Sequence, residues 1–233
     1  MTALHFASPA HRRLLRWTLL VAMIPGLAGC FGAAIVGVGA GALMAADRRP
    51  TETYLTDEGI EVRAVTRINE QLGDRVHINV TSFNRTALLT GEVPSAAARA
   101  EAEKIVGSVP NVKAISNELQ IAGASSLAAR SNDTYITSKV KARFLDANKF
   151  TVHHVKVVTE AGTVFLLGLV TRQEADAAAN IASTTAGVQR VVRVFEVVSD
   201  ARARELDSPA PPQTSAPVAT SSTTPVSSAP PAK

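Results

Sequence analysis

Cysteine is almost missing from this chain: Cys30 is the single one in 233 residues. That excludes an intramolecular disulfide framework and any metal site built on a cysteine cluster. Aromatics are scarce at 4%. Charge of one sign does not dominate, since 24 Lys+Arg stand against 20 Asp+Glu for a formal +4. At 19% charged and 46% hydrophobic, the chain is too apolar for wholesale disorder. A phosphate-cradling glycine loop is missing as well. Gly37, Gly39 and Gly41 lie in an uncharged Gly/Ala stretch, not between a strand and a helix. The length allows one domain or two small ones.

The lone cysteine sits at a telling place. His11-Arg12-Arg13-Leu14-Leu15-Arg16 is a basic start, Trp17 to Gly26 is a short apolar run, and Leu27-Ala28-Gly29-Cys30 closes it with small residues. This is the layout of a secretory signal. Leu27-Ala28-Gly29-Cys30 resembles the bacterial lipobox. The resemblance implies a diacylglyceryl group on the Cys30 thiol, cleavage before Cys30 and acylation of the new amine. Residues 1–29 are then the signal and 30–53 a lipidated tether. By the sorting pattern of Gram-negative lipoproteins, Phe31 implies the outer membrane, facing the periplasm. The uncharged stretch from Phe31 to Ala46 has 16 residues, short of the roughly 20 a spanning helix needs. The rival anchor is an uncut signal with residues 17–46 in the membrane. Lipid labelling that disappears in Cys30→Ser separates the two.

The middle of the chain is one unit written twice. Residues 86–93, Thr-Ala-Leu-Leu-Thr-Gly-Glu-Val, match residues 163–170, Thr-Val-Phe-Leu-Leu-Gly-Leu-Val, at an offset of 77, with Gly91 on Gly168. Ile60, Ala64 and Ile68 match Ile136, Val140 and Phe144 at an offset of 76. The latter three recur every fourth residue, the spacing of one helix face, and Asp133 before them is read as an N-cap. Alternation from Val76 to Thr81 and from His153 to Val158 predicts strands. Asn84-Arg85 and Ala161-Gly162 mark hairpin turns. A second strand ends at each paired glycine, where glycine signals a bulge or a close backbone approach. Helices over Ser95–Val106 and Arg172–Ser183 follow, then strands over Val112–Ile121 and Val188–Val198. The order is α-β-β-α-β, twice, an α+β fold. Units this small bury little core alone, so docking of the two is expected. Residues 201–233, rich in Pro, Ser, Ala and Thr, read as a disordered tail.

This duplicated pattern, carried by Ile136, Val140 and Phe144, by Val155-Lys156-Val157, by Leu166-Leu167-Gly168-Leu169-Val170 and by Gly187-Val188, resembles the BON domain. Two such units, 54–122 and 126–200, behind a lipobox resemble the dual BON-domain outer-membrane lipoprotein family. The resemblance implies that the second unit binds anionic phospholipid and that the protein supports envelope integrity.

The two units also differ in charge. The first unit (50–122) carries 7 basic and 10 acidic residues and the second (123–200) carries 9 and 7. Lys139, Lys141, Arg143, Lys149 and Lys156 gather on the first helix and strand of the second unit, where the first unit has Asp57, Glu58, Glu61 and Glu70. On a helical wheel Thr134, Ser138, Lys141 and Leu145 fall opposite the core stripe, with Tyr135 and Lys139 on the flank. An aromatic beside basic residues with an apolar tip suits a headgroup interface. The resemblance implies that Tyr135 and Leu145 insert and that Lys139 and Lys141 engage headgroups, beside Ser138. The bland alternative is a solvated helix face with a stray Leu145.

No catalytic set emerges. Adjacent strand residues such as His153 and His154 point to opposite faces, which suits no two-ligand metal pair, and His77 falls on a repeat position. The expectation is a non-enzymatic protein with no metal and no cofactor beyond the acyl groups on Cys30, and with no small-molecule substrate. Export and the small mature charge argue against nucleic acid. The alternative function is a scaffold docking an envelope protein through the acidic first unit or the tail.

Overall fold

The computed structural model describes residues 47–208. The signal, Cys30, the Gly/Ala stretch and residues 209–233 lie outside them. The elements are α1 (Thr51–Leu72), β1 (His77–Phe83), β2 (Thr86–Val93), α2 (Ala96–Gly107), β3 (Ala114–Asn117), β4 (Gln120–Ile121), α3 (Leu127–Ala147), β5 (Lys156–Glu160), β6 (Thr163–Val170), α4 (Arg172–Ser183), β7 (Arg190–Val197) and α5 (Asp200–Asp207).

Each unit is an α-β-β-α-β module whose helices cover one face of a small sheet. In the first, β2 lies between antiparallel β1 and parallel β3 and β4. In the second, β6 lies between antiparallel β5 and parallel β7. Apolar residues at helical spacing explain the packing: α1 buries Ile60, Ala64, Ile68 and Leu72, and α3 buries Ile136, Val140 and Phe144. On α4 only alanines are buried, Ala175, Ala178, Ala179 and Ala182, so its backbone sits close to β6, and a Thr171/Glu174 capping box starts it.

Strand period then splits β6 between two cores. Val164, Leu166 and Val170 face the helices, while Phe165, Leu167 and Leu169 face the other unit. Phe83 and Leu88 meet them there, with Val158, Val192 and Val194 packed around. The two units therefore dock through the sheet faces turned away from α1–α4, which is how two cores of this size gain burial.

Both hairpins turn on left-handed residues, Asn84 (φ 49°) and Arg85 (φ 66°) in one, Ala161 (φ 47°) and Gly162 (φ 71°) in the other. Two successive positive φ angles are the requirement of a type I′ turn. The paired glycines serve a close approach. A Cβ on Gly91 would lie 2.1 Å from the His77 carbonyl oxygen, and one on Gly168 would lie 2.3 Å from that of His154.

The structure corrects several expectations. Asp133 is not an N-cap: α3 begins six residues earlier, at Leu127, and Ser126 caps it. The Asp133 carboxylate is buried and accepts from Ala161 N at 2.9 Å and Gly162 N at 2.8 Å. Asp57 does the same for Asn84 N and Arg85 N in the first unit. Each helix thereby pins its own hairpin turn. The strand expected from His153 starts at Lys156, because Val152–His154 form a 3-10 turn. The paired glycines lie inside their strands, which run on to Val93 and Val170. The strand over 112–121 is broken into β3 and β4 where Leu119 turns into the core. Residues 200–207 are helix α5, not tail, with Ala203 buried and Leu206 packed on the core between the units.

Nor are the last tether residues loose. Arg48 is buried and spans Leu169 O at 2.9 Å, Glu174 Oε2 at 2.6 Å and Asp207 Oδ1 at 2.7 Å. Arg49 reaches Asp47 and Asp57 and lies over the Phe83 ring at 4.0 Å. Arg48 thus clamps the start of the described chain to the second unit and Arg49 clamps it to the first.

Candidate lipid-facing surface

Helix α3 carries the surface picked out in the sequence. Its inner side is locked: Asp133 holds the hairpin, Ile136, Val140 and Phe144 fill the core, and Phe144 meets Phe150 edge-on at 5.0 Å between ring centroids. Four residues in register, Tyr135, Ser138, Ala142 and Leu145, line the outer side and all are exposed. Tyr135 stands 62% exposed and Leu145 65%. Small Ser138 and Ala142 between them leave a shallow saddle with an apolar side chain at each end. Ser138 Oγ donates back to Thr134 O at 3.0 Å, which satisfies it locally.

The basic residues divide. Lys139 Nζ lies 4.5 Å from the Tyr135 ring centroid and donates to Ala186 O, so it stiffens Tyr135 from the side. Arg143 turns inward and donates to Ile181 O and Thr185 Oγ1 at the end of α4. Lys156 crosses to the first unit and pairs with Glu61 at 2.9 Å. Lys141 and Lys149 have no ion-pair partner among the described residues. Lys141 borders a cleft of about 430 Å³ between the units, with Arg49, Tyr54, Glu58 and His153 on its walls. The basic cluster legible in the sequence therefore contains two residues drawn away from this surface, Arg143 and Lys156, and one held along its flank, Lys139. The cations left on this part of α3 are Lys139 and Lys141; Lys149 follows the helix end.

Among the described residues, no helix is long and apolar enough to cross a membrane.

Sequence reasoning missed one arrangement near the clamp. His154 is buried against Arg48, with Asp207 Oδ1 3.5 Å from its Nε2. Burial, then the Arg48 charge, hold its imidazole below the usual histidine range. Its Nδ1 is buried without a hydrogen-bond partner. Its partners lie far away in sequence, so no local motif marked it.

Comparison with known proteins agrees with the fold. The BON domain model matches residues 56–123 and 132–199. The outer membrane lipoprotein DolP of Haemophilus influenzae is 36% identical over 172 residues, 73% of this chain and 89% of that protein. The 21 kDa hemolysin of Actinobacillus pleuropneumoniae is 32% identical, over 65% of this chain and 79% of its own. The osmotically-inducible protein Y of Escherichia coli is 35% identical, over 49% of this chain and 58% of its own.

Proposed function

The chain belongs to the dual BON-domain outer-membrane lipoprotein family, and we propose that it is a non-enzymatic member that binds anionic phospholipid through α3 of its second unit. It lies at the outer membrane, facing the periplasm. In this reading acyl groups on Cys30 hold it there, and the α3 saddle makes the second contact that orients the domains on the bilayer. Envelope integrity is the process served.

One observation carries the reading: Tyr135 and Leu145 are large apolar side chains left exposed on one side of a helix whose other side is fully packed. Moving a Leu side chain out of water is worth roughly 1.5–3 kcal/mol, and each lysine near an anionic surface adds about 1 kcal/mol. Such a sum is weak for a soluble protein but sufficient for one already tethered.

The test uses the mature chain with Cys30→Ser, so that the anchor does not mask the contact. It should sediment with phosphatidylglycerol vesicles and not with phosphatidylcholine vesicles. Tyr135→Ala with Leu145→Glu should abolish that sedimentation, and equal sedimentation of the variant would sink the proposal. A second reading, docking of an envelope protein, draws on α1. Leu55 and Val62 are 61% and 66% exposed there, beside Glu52 and Glu58. Such a face suits a partner with basic and apolar side chains.

A further inference from the structure

Three side chains that the lipid-facing surface does not use meet at the seam between the units. His77 opens β1 and is paired in register with Glu92 of β2, with its Nδ1 3.0 Å from Glu92 Oε2. Glu160 ends β5 of the second unit, and its Oε2 accepts from Asn79 Nδ2 at 2.9 Å. One ligand atom from each of His77, Glu92 and Glu160 lies within 4.8 Å of the others.

The electrostatics are unusual for a seam. Glu92 and Glu160 are each only 6% exposed, and among the described residues neither has a Lys or Arg within ion-pair distance. Histidine is the one basic neighbour, and the Ser125 amide adds a hydrogen bond to Glu92 Oε2 at 3.2 Å. Burial pushes the Glu160 carboxyl up; the Asn79 amide opposes this, and nearby Glu92 pushes the same way. Two desolvated carboxylates side by side are costly unless a proton or a cation joins them.

The donor set favours a cation. One imidazole nitrogen and two carboxylate oxygens are ligands zinc accepts, whereas an all-oxygen set would suit magnesium or calcium. Bonds of about 2.1 Å in tetrahedral geometry put ligand atoms about 3.4 Å apart. The three atoms, all within 4.8 Å of one another, would have to close by at most about 1.4 Å to reach that spacing. We propose that His77, Glu92 and Glu160 bind one divalent first-row metal ion of the zinc class, and that the ion locks the second unit against the first. The site takes two ligands from one unit and one from the other, so occupancy depends on the docked arrangement.

The experiment titrates Zn²⁺ alone into the full mature lipoprotein, untagged and in detergent, by calorimetry, and follows its melting temperature. One Zn²⁺ per chain should bind and raise that temperature. Glu160→Gln keeps the shape and an acceptor for Asn79, yet should weaken binding by at least about tenfold, as should His77→Gln. Zinc X-ray absorption on the unsubstituted chain should show one imidazole among oxygen ligands at about 2.0–2.2 Å, and it decides the matter even if a variant fails to fold. No saturable binding, binding unchanged in Glu160→Gln, or a shell of several imidazoles would each overturn the proposal. The first of these, joined to a more stable Glu160→Gln, would show that a shared proton does the work.

Discussion

Helices α1 and α3 are one element present twice, and their buried sides are nearly interchangeable. Asp57, Ile60, Ala64 and Ile68 in α1 answer to Asp133, Ile136, Val140 and Phe144 in α3. Their outer sides differ in sign rather than in greasiness. Leu55 and Val62 are as exposed on α1 as Tyr135 and Leu145 on α3, but Glu52 and Glu58 accompany the first pair and Lys139 and Lys141 the second. The duplication kept what packs and changed what meets the surroundings. A lipid surface of negative charge would repel one outer face and attract the other. The pairing also shows which aspartate does more: Asp57 bonds its hairpin, Ser82 and Arg49, while Asp133 bonds its hairpin alone.

That contrast gives the largest expected effect. Asp57→Ala leaves Arg49 buried with half its partners and should cost about 3–5 kcal/mol in urea unfolding. Asp133→Ala should cost about 1.5–3 kcal/mol, and an equal cost at both would break the distinction. Next comes Tyr135→Ala with Leu145→Glu, which should reduce affinity for phosphatidylglycerol vesicles far more than tenfold, as measured by flotation. Leu55→Glu with Val62→Glu on α1 should leave that affinity unchanged. Lys141→Ala removes a single headgroup charge. A loss of about 1 kcal/mol, near fivefold, is expected at low salt, fading as salt is raised.

The smallest effect is a pH dependence seated in the second unit. The folded His154 resists protonation, while the unfolded chain takes up that proton near 6.5. Stability should therefore fall as the pH drops below about 6.5, until the folded imidazole also titrates. At lower pH the clamp adds to the loss. Burial would raise the Glu174 carboxyl, but Arg48 outweighs it, and in Asp207 the Arg48 hydrogen bond leads, so both sit low. Their contribution is present above the ordinary carboxylate range and vanishes as the pH falls through the folded values. Glu160, held high, acts in the opposite sense, binding its proton first in the folded chain. Melting curves at pH 7.5 and 5.5 should show the lower temperature at 5.5, and His154→Gln should flatten the difference.

Much of the fold was legible because its signals are local or repeated. Ile136, Val140 and Phe144 announce a helix face at any distance from their partners, and Asn84-Arg85 and Ala161-Gly162 sit at turns that need positive φ. Asp133 misled because an aspartate ahead of an apolar run is the common N-cap pattern. Its repeat partner Asp57, 76 residues earlier, was the available hint that it served the module instead. Arg48 and His154 had no such hint, since they find their partners across the fold, and neither had the group in which Glu160 of the second unit joins the His77–Glu92 strand pair of the first. The exposed side of α3 was legible as a pattern. Which lysines stay with it was not, because Arg143 and Lys156 are drawn off by carbonyls and by Glu61.

The most direct measurement is amide chemical-shift mapping of the mature chain, with Cys30→Ser, against phosphatidylglycerol-doped micelles. The shifts should gather on Tyr135, Ser138, Lys139, Lys141 and Leu145 and spare Leu55, Val62 and Val65. Perturbation centred on α1, or none on α3, would contradict a lipid-binding second unit.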